Sequence, residues 1–287
     1  MQINAGGVML EVEEYGPRDG VPVILIRGLG TQLAHWVPEM YEGFAAKGYR
    51  TIIFDNRDVG LSQKFNRPGF TDSAQEIKDL VARGETLVAP YTLVDMARDV
   101  VGLMDALGIA KAHVFGISMG GGIMQSLAIH HADRLLSATI VMSSAYFPTI
   151  DRIGLLLASP RTRDEAAEGG VVEEKMWGSP GFPRSDDEVR AMAGRAWDRD
   201  HDASGINRHV LATAMSGDRR EMLRGVRVPS LVIHGADDTL VLPENGREIA
   251  SLIPGARLEI VDGMGHVITP ALAPLLVDMV DGFIRSL

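Results

Sequence analysis

The segment Gly116-Ile117-Ser118-Met119-Gly120 constrains the fold of this chain more than any other. It lies between an apolar run, Ala112-His113-Val114-Phe115, and a helix-like stretch over residues 123–129. A serine flanked two residues away by glycine on each side, at a strand-to-helix junction, is the sequence form of a nucleophile elbow. The turn holds its central residue in a strained backbone geometry, and glycine has no Cβ to clash on the flanks. The serine oxygen then stands clear of the sheet at the positive end of the next helix. The amide of the residue after it, Met119, is placed to donate to an oxyanion. Gly120-Gly121-Gly122 extends the small residues to where the helix start must pack closely on its neighbours.

A serine hydroxyl is a poor nucleophile at neutral pH and needs a base. The chain carries 8 histidines, so context must choose among them. His266 follows the apolar run 257–261 on the glycine-rich loop Asp262-Gly263-Met264-Gly265, free to lean over a serine on another strand. His234 ends the run 230–233 and is held within its strand. His113 starts the strand that leads to the elbow, so it lies at the wrong end. His130 and His131 end the elbow helix, where positive charge suits the dipole. His35, His201 and His209 read as surface or cap residues. His266 is therefore the expected base. An acid must orient the imidazole. Asp237 and Asp238 both follow the strand end His234-Gly235-Ala236; one is the expected acid, the other a turn or capping residue.

These features, in the chain order serine, aspartate, histidine, resemble the α/β-hydrolase fold superfamily over nearly the whole chain. Four blocks carry the resemblance: Leu25-Ile26-Arg27-Gly28-Leu29-Gly30, residues 54–62, the elbow, and the loops of Asp238 and His266. The resemblance implies that the acid lies three residues beyond the glycine ending its strand, which selects Asp238. It also implies Leu29 and Met119 as the backbone donors of an oxyanion hole. Two positions depart from the family pattern. Asp58 stands where the block Asp-x-Arg-Gly-x-Gly-x-Ser has its first glycine, which resembles a bacterial esterase-like subset that includes aclacinomycin methylesterase-like proteins. Arg27 stands where the family usually has histidine. A structural role is expected for Arg27, with loop carbonyls, Asp55 or Asp58 as partners for its many donors, the alternative being contact with a carboxylate of the substrate.

The strand and helix signals alternate. Residues 1–16 read as a strand pair turning at Gly6-Gly7, and 21–26 as a strand buried on both faces. Residues 36–47 read as a helix, 50–54 as a strand, and 63–91 as a long connection with a helix near 74–82. A helix over 92–107 precedes the elbow unit, and 135–142 is another strand. The fold class expected is α/β: a mostly parallel, doubly wound sheet of about eight strands with an inserted helical cap. Residues 1–144 and 216–287 form the expected core and 145–215 the cap, where alternation breaks. Met176, Trp177, Phe182 and Trp197, with Leu155-Leu156-Leu157, are candidates to line an apolar pocket. The alternative for each is packing of the cap on the core, the usual fate of large apolar side chains. Asp55, Arg57 and Ser62 read as a polar turn fixed by internal hydrogen bonds.

Composition narrows the partners. A net charge of −10 argues against nucleic acid or an anionic membrane surface. The chain has no cysteine, which excludes disulfides and thiol chemistry. No metal is expected, and Gly28-Leu29-Gly30 lacks the third glycine or the lysine-serine pair of a nucleotide loop, so no cofactor is expected. Met1-Gln2-Ile3-Asn4 opens no signal-peptide pattern and no run approaches a membrane span, so the cytoplasm is the expected compartment. The function expected is hydrolysis of small, apolar carboxylic esters through Ser118, His266 and Asp238 by way of an acyl-enzyme. Carbon–carbon bond hydrolysis, cofactor-free perhydrolysis and a non-catalytic ligand receptor use the same fold. The natural substrate and the oligomeric state are not encoded in these patterns.

Overall fold

Five stretches of the chain are apolar almost without interruption, and a strand of that kind must be covered on both faces. The computed structural model describes residues 1–66, 72–147 and 154–287. Residues 67–71, within the 63–91 connection, and 148–153, at the start of the 145–215 insertion, lie outside the described residues. The strands are β1 (Gln2–Asn4), β2 (Met9–Tyr15), β3 (Pro22–Ile26), β4 (Arg50–Phe54), β5 (Ala112–Ile117), β6 (Leu135–Val141), β7 (Ser230–Gly235) and β8 (Arg257–Val261). They form one eight-stranded sheet in the order β1-β2-β4-β3-β5-β6-β7-β8. β1 and β2 pair antiparallel, and β3 to β8 run parallel.

Strand order reverses between β3 and β5, neighbours in the sheet although β4 lies between them in sequence. At such a switch point the connections leave in opposite directions and open a crevice beyond the strand ends. Alternate side chains of each strand point to opposite faces. Ile24, Ile26, Val114, Ile140 and Val232 pack on one side with helices α3 (Leu93–Ala106), α4 (Met119–His130) and α9 (Pro243–Leu252). Val23, Leu25, Phe115, Val141 and Ile233 pack on the other with α1 (Pro38–Ala46) and α10 (Ala273–Ile284). Helix α2 (Ala74–Ala82) joins a smaller cluster through Ile77, which packs there with Leu87 and Leu211.

Between β6 and β7 come α5 (Arg163–Trp177), α6 (Asp186–Arg199), α7 (Ala203–Met215) and the short α8 (Arg220–Leu223). Reciprocal capping starts two of them. The amides of Thr162 and Ser185 donate to the carboxylates of Glu165 and Glu188, each at 2.7 Å, while the two hydroxyls accept from the amides three residues on. Among the described residues no helix is long and apolar enough to cross a membrane.

Helix α7 is bolted to the loops that follow β3 and β4. Asp58 adopts a left-handed backbone, φ +72°, which is the conformation a glycine would take there without strain. Its buried carboxylate accepts from Arg208 Nη2 at 2.8 Å, Tyr91 Oη at 2.5 Å and the Phe65 amide at 2.6 Å. A Cβ at Gly205 would sit 2.0 Å from the Asp58 carbonyl oxygen, so helix and loop touch through backbone. One turn on, His209, which its sequence context suggested as a surface or cap residue, lies buried in this helix. Its Nε2–H donates to the Arg57 carbonyl at 2.7 Å and its Nδ1 accepts the Gly30 amide at 3.2 Å. That pair of bonds requires the neutral ring, and burial pushes His209 down to about 4. The polar turn also reaches further than its sequence suggested. Asp55 accepts the amides of Leu33 and Leu61 and pairs with Arg199, while Arg57 pairs with Asp99.

Asp58→Ala takes one of its carboxylate partners from a buried arginine and is expected to cost about 3 kcal/mol in urea unfolding, the low end for a broken buried pair because Asp72 still holds Arg208. Asp58→Gly should recover about 1 kcal/mol of that loss by relieving the positive φ. His209 gives a pH dependence. Its folded pKa of about 4 lies below the ordinary histidine value, so the unfolded chain binds the extra proton between them. Stability is therefore full above about pH 6.5 and falls as pH drops toward 4. Between pH 7 and pH 5 the wild type should lose about 1–2 kcal/mol more than His209→Gln, measured by denaturant unfolding at each pH.

Candidate active site

The loop between β5 and α4 has no space for side chains beside its serine. Ser118 sits at φ +54°, ψ −119°, a backbone strained for any residue with a Cβ. Four contacts hold it there. Its amide donates to the Val141 carbonyl at 2.9 Å, and its carbonyl accepts the amides of Gly121 and Gly122 and the Ser143 hydroxyl. A Cβ on Gly116 would lie 2.2 Å from the Gly120 oxygen, and one on Gly120 would lie 2.4 Å from the Ile26 oxygen and 2.6 Å from that of Arg27. The two glycines of the motif thus serve different contacts. Gly116 lets the turn close on itself, and Gly120 lets α4 rest against the end of β3.

The loop after β8 brings His266 to this serine. His266 Nε2 lies 3.0 Å from Ser118 Oγ, and Nδ1 lies 2.7 Å from Asp238 Oδ2. Asp238 is buried at the end of β7, and its other oxygen accepts the amides of Leu240 and Val241 at 3.0 and 2.9 Å. Burial opposes its charge, but hydrogen bonds from His234 and His266 outweigh burial and hold its carboxyl down at about 2. Asp238 is therefore ionised throughout the neutral range. His234 stays in its strand, donates to the Val241 carbonyl at 2.7 Å and lies 3.4 Å from Asp238 Oδ2, so it supports the acid and not the serine. Asp237 is exposed and accepts the Gly263 amide at 2.8 Å, a turn contact within the loop that carries His266.

Helix α5 ends against that same loop. The His266 amide donates to the Trp177 carbonyl at 2.7 Å. Buried Ser179 accepts the Gly265 amide at 3.0 Å and donates to the Val267 carbonyl at 2.6 Å. A Cβ on Gly265 would lie 2.0 Å from the Gly178 oxygen. Sequence reading did not single out Ser179; nothing local distinguishes it from any other serine in a turn.

Leu29 and Met119 each follow one of two residues that lie against each other, Gly28 and Ser118. Met119 is the first residue of α4, so its amide has no intrahelical acceptor. The Leu29 amide meets no acceptor among the described residues, while the next amide, of Gly30, is taken by His209. Gly28 passes so close that a Cβ on it would lie 3.2 Å from Ser118 Cβ. Above Ser118 and His266 opens a cavity of about 400 Å³, walled by the β3 loop and by α5, α6 and the start of α7. Trp177, Trp197 and Leu155-Leu156-Leu157 line it. Met176 and Phe182 do not: Met176 projects into solvent at 56 % exposure, and Phe182 packs on the core near Gly263. The period of α5 explains the difference, since adjacent helical residues point about 100° apart and only one of Met176 and Trp177 can face inward.

Arg27 departs from expectation. It bonds neither Asp55 nor Asp58, whose carboxylates are taken up by backbone amides, Tyr91, Arg199 and Arg208. Its side chain lines the cavity, with Nε donating to Thr31 Oγ1 at 3.2 Å and the guanidinium 4.7 Å from the Trp36 ring. His35 also lines this wall, not the outer surface; burial and the charge of Arg27 push it down to about 3, so it is neutral. Among the described residues no group of three histidine or acidic side chains converges in a way that could hold a metal ion.

The comparisons with known proteins agree with this fold. The family model described as alpha/beta hydrolase fold matches residues 21–175 of the 287. Rhodomycin D methylesterase DauP of Streptomyces sp. (strain C5) is 26 % identical over 92 % of this chain and 91 % of its own. The 3-oxoadipate enol-lactonase 1 of Acinetobacter baylyi is 26 % identical over 100 % of this chain and 97 % of its own. The solved enol-lactonase from Burkholderia xenovorans superposes with a TM-score of 0.71 at 27 % identity, covering 99 % of this chain and 100 % of that one. With the switch-point sheet, the elbow at its centre and a family match across more than half its length, the chain belongs to the α/β hydrolase fold family.

Proposed function

We propose that this protein hydrolyses carboxylic esters through an acyl-enzyme on Ser118, with His266 as general base and acid and Asp238 as its orienting anion. The observation that carries this reading is the unbroken chain of contacts from Ser118 Oγ to His266 Nε2, 3.0 Å, and from His266 Nδ1 to Asp238 Oδ2, 2.7 Å. Relatives over nine-tenths or more of the chain are named a methylesterase and an enol-lactonase, and a lactone is a cyclic ester.

In this mechanism the Ser118 hydroxyl attacks the ester carbonyl and its proton passes to His266 Nε2. Nδ1–H donates to ionised Asp238, which fixes the tautomer and stabilises the imidazolium. The carbonyl oxygen becomes an oxyanion between the amides of Leu29 and Met119. Collapse expels the alcohol, which takes the proton from Nε2. Water then attacks the acyl-serine, giving its proton to Nε2, and the acid leaves as Ser118 is restored. Residues 145–215 act in this reading as a cap. They supply the cavity wall over the ester and, through the Trp177 carbonyl and Ser179, hold the loop of the base.

Ser118→Ala should fold normally and lose about 10³-fold or more in kcat on short p-nitrophenyl esters. Fluorophosphonate labelling of the wild type should vanish in that variant; labelling that persists at another serine rejects the assignment. The two aspartates separate the orienting acid from the turn residue. Asp238→Asn should lower kcat by about 10² to 10⁴, and Asp237→Asn far less. Steady-state kinetics in the reverse order would move the acid to Asp237.

A further inference from the structure

We propose that Arg27 receives a carboxylate of the substrate, so that the preferred substrates are esters or lactones carrying one carboxylate besides the reacting ester, such as half-esters of dicarboxylic acids. The inference rests on the ester-hydrolase reading of the same cavity and names the class of substrate that fits it.

The charge pairing of the cavity wall carries the argument. Three arginines line it: Arg27, Arg161 and Arg184. Arg184 Nη2 lies 2.6 Å from Glu174 Oε2, and Arg161 Nη1 lies 3.8 Å from Glu173 Oε1. The other acids of the wall are paired as well, Asp200 with Lys64 at 2.5 Å and Asp202 with Arg208 at 3.6 Å. Among the described residues Arg27 is the arginine of this wall with no carboxylate partner. Its protein contacts are the Thr31 hydroxyl and the face of Trp36. An arginine withdrawn from bulk water without a counter-charge is costly unless some other group supplies the anion.

The contacts Arg27 does make suit it to receive one. The bond from Nε to Thr31 and the stacking on buried Trp36 fix the plane of the guanidinium. They leave the two Nη groups without an acceptor among the described residues, the edge that binds a carboxylate in a fork. Burial and the nearby charge of Arg184 lower Arg27 to about 9, which leaves it charged at neutral pH. Position completes the case. Arg27 directly precedes Gly28, whose Cα abuts Ser118, so a substrate can reach both groups within one cavity.

The test compares monomethyl esters of glutarate, adipate and pimelate with their carboxamide analogues, which have equal length and no charge. In the wild type kcat/KM should favour the half-ester over its carboxamide by about tenfold or more at the best-fitting length, as expected for a charge-assisted pair. In Arg27→Met that ratio should collapse toward one, through KM of the half-ester and not kcat. Arg27→Lys, which keeps the charge without the fork, should retain part of it. A wild type with no preference at any length overturns the proposal. So does an Arg27→Met variant that loses activity on both substrates with the ratio intact, which is the mark of a structural role. Calorimetric binding of the same half-esters to Ser118→Ala separates this proposal from the hydrolase reading. Binding that disappears on adding Arg27→Met supports the carboxylate site even if no ester is turned over. Binding that is unchanged by the substitution, or absent in the parent, rejects it. Hydrolysis of neutral esters with no anion preference would leave the hydrolase reading standing and remove this one.

Discussion

The arrangement depends on how closely the start of α4 rests against the end of β3. Gly120 lets the helix meet the carbonyls of Ile26 and Arg27, and the same approach brings Gly28 against Ser118. Any side chain at these positions would push the elbow away from the loop of Leu29. The strained backbone of Ser118 is held by bonds from both its flanks, to β6 on one side and to the first turn of α4 on the other. Strain is affordable there because the sheet on which it is built is buried on both faces and cannot relax around it.

The helices between β6 and β7 do more than cover the strand ends. Each loop that brings a group to Ser118 is tied to one of them. His209 on α7 takes the amide of Gly30, next to Leu29. Gln32 donates to the carbonyls of Ala196 and Asp200 at the end of α6. The carbonyl of Trp177 at the end of α5 accepts the amide of His266. The cavity wall and the reactive groups are therefore one hydrogen-bonded unit, and a change in helix packing is felt at the serine. Asp58 shows what this coupling required. The left-handed backbone favours glycine, yet an aspartate there gives Arg208 of α7 its buried partner.

Charge is distributed over the cavity unevenly. Around Arg27 the acids are spoken for by other cations, while the acid beside His266 is held ionised by four donors. The Asp238 carboxylate thus lies beside the imidazole, the amides of Leu29 and Met119 meet no acceptor among the described residues, and Arg27 stands on the wall of the same cavity.

By itself the sequence determined the sheet, the elbow and the residues brought together around it. Strand periodicity, glycine at a forced turn and an acid or histidine just past a strand end are local constraints, readable over a few residues. The choice between Asp237 and Asp238 was less local, and it followed from the resemblance to a family. Only the tertiary structure decided the rest. Whether Met176 or Trp177 faces the cavity depends on the rotation of α5, set by many weak contacts along its length. The burial of His209 and the freedom of Arg27 depend on which side chains, distant in sequence, arrive beside them. An arginine at position 27 reads the same whether or not a carboxylate meets it, because the acids that decide its pairing lie on other strands and helices, and packing alone brings them near or keeps them away.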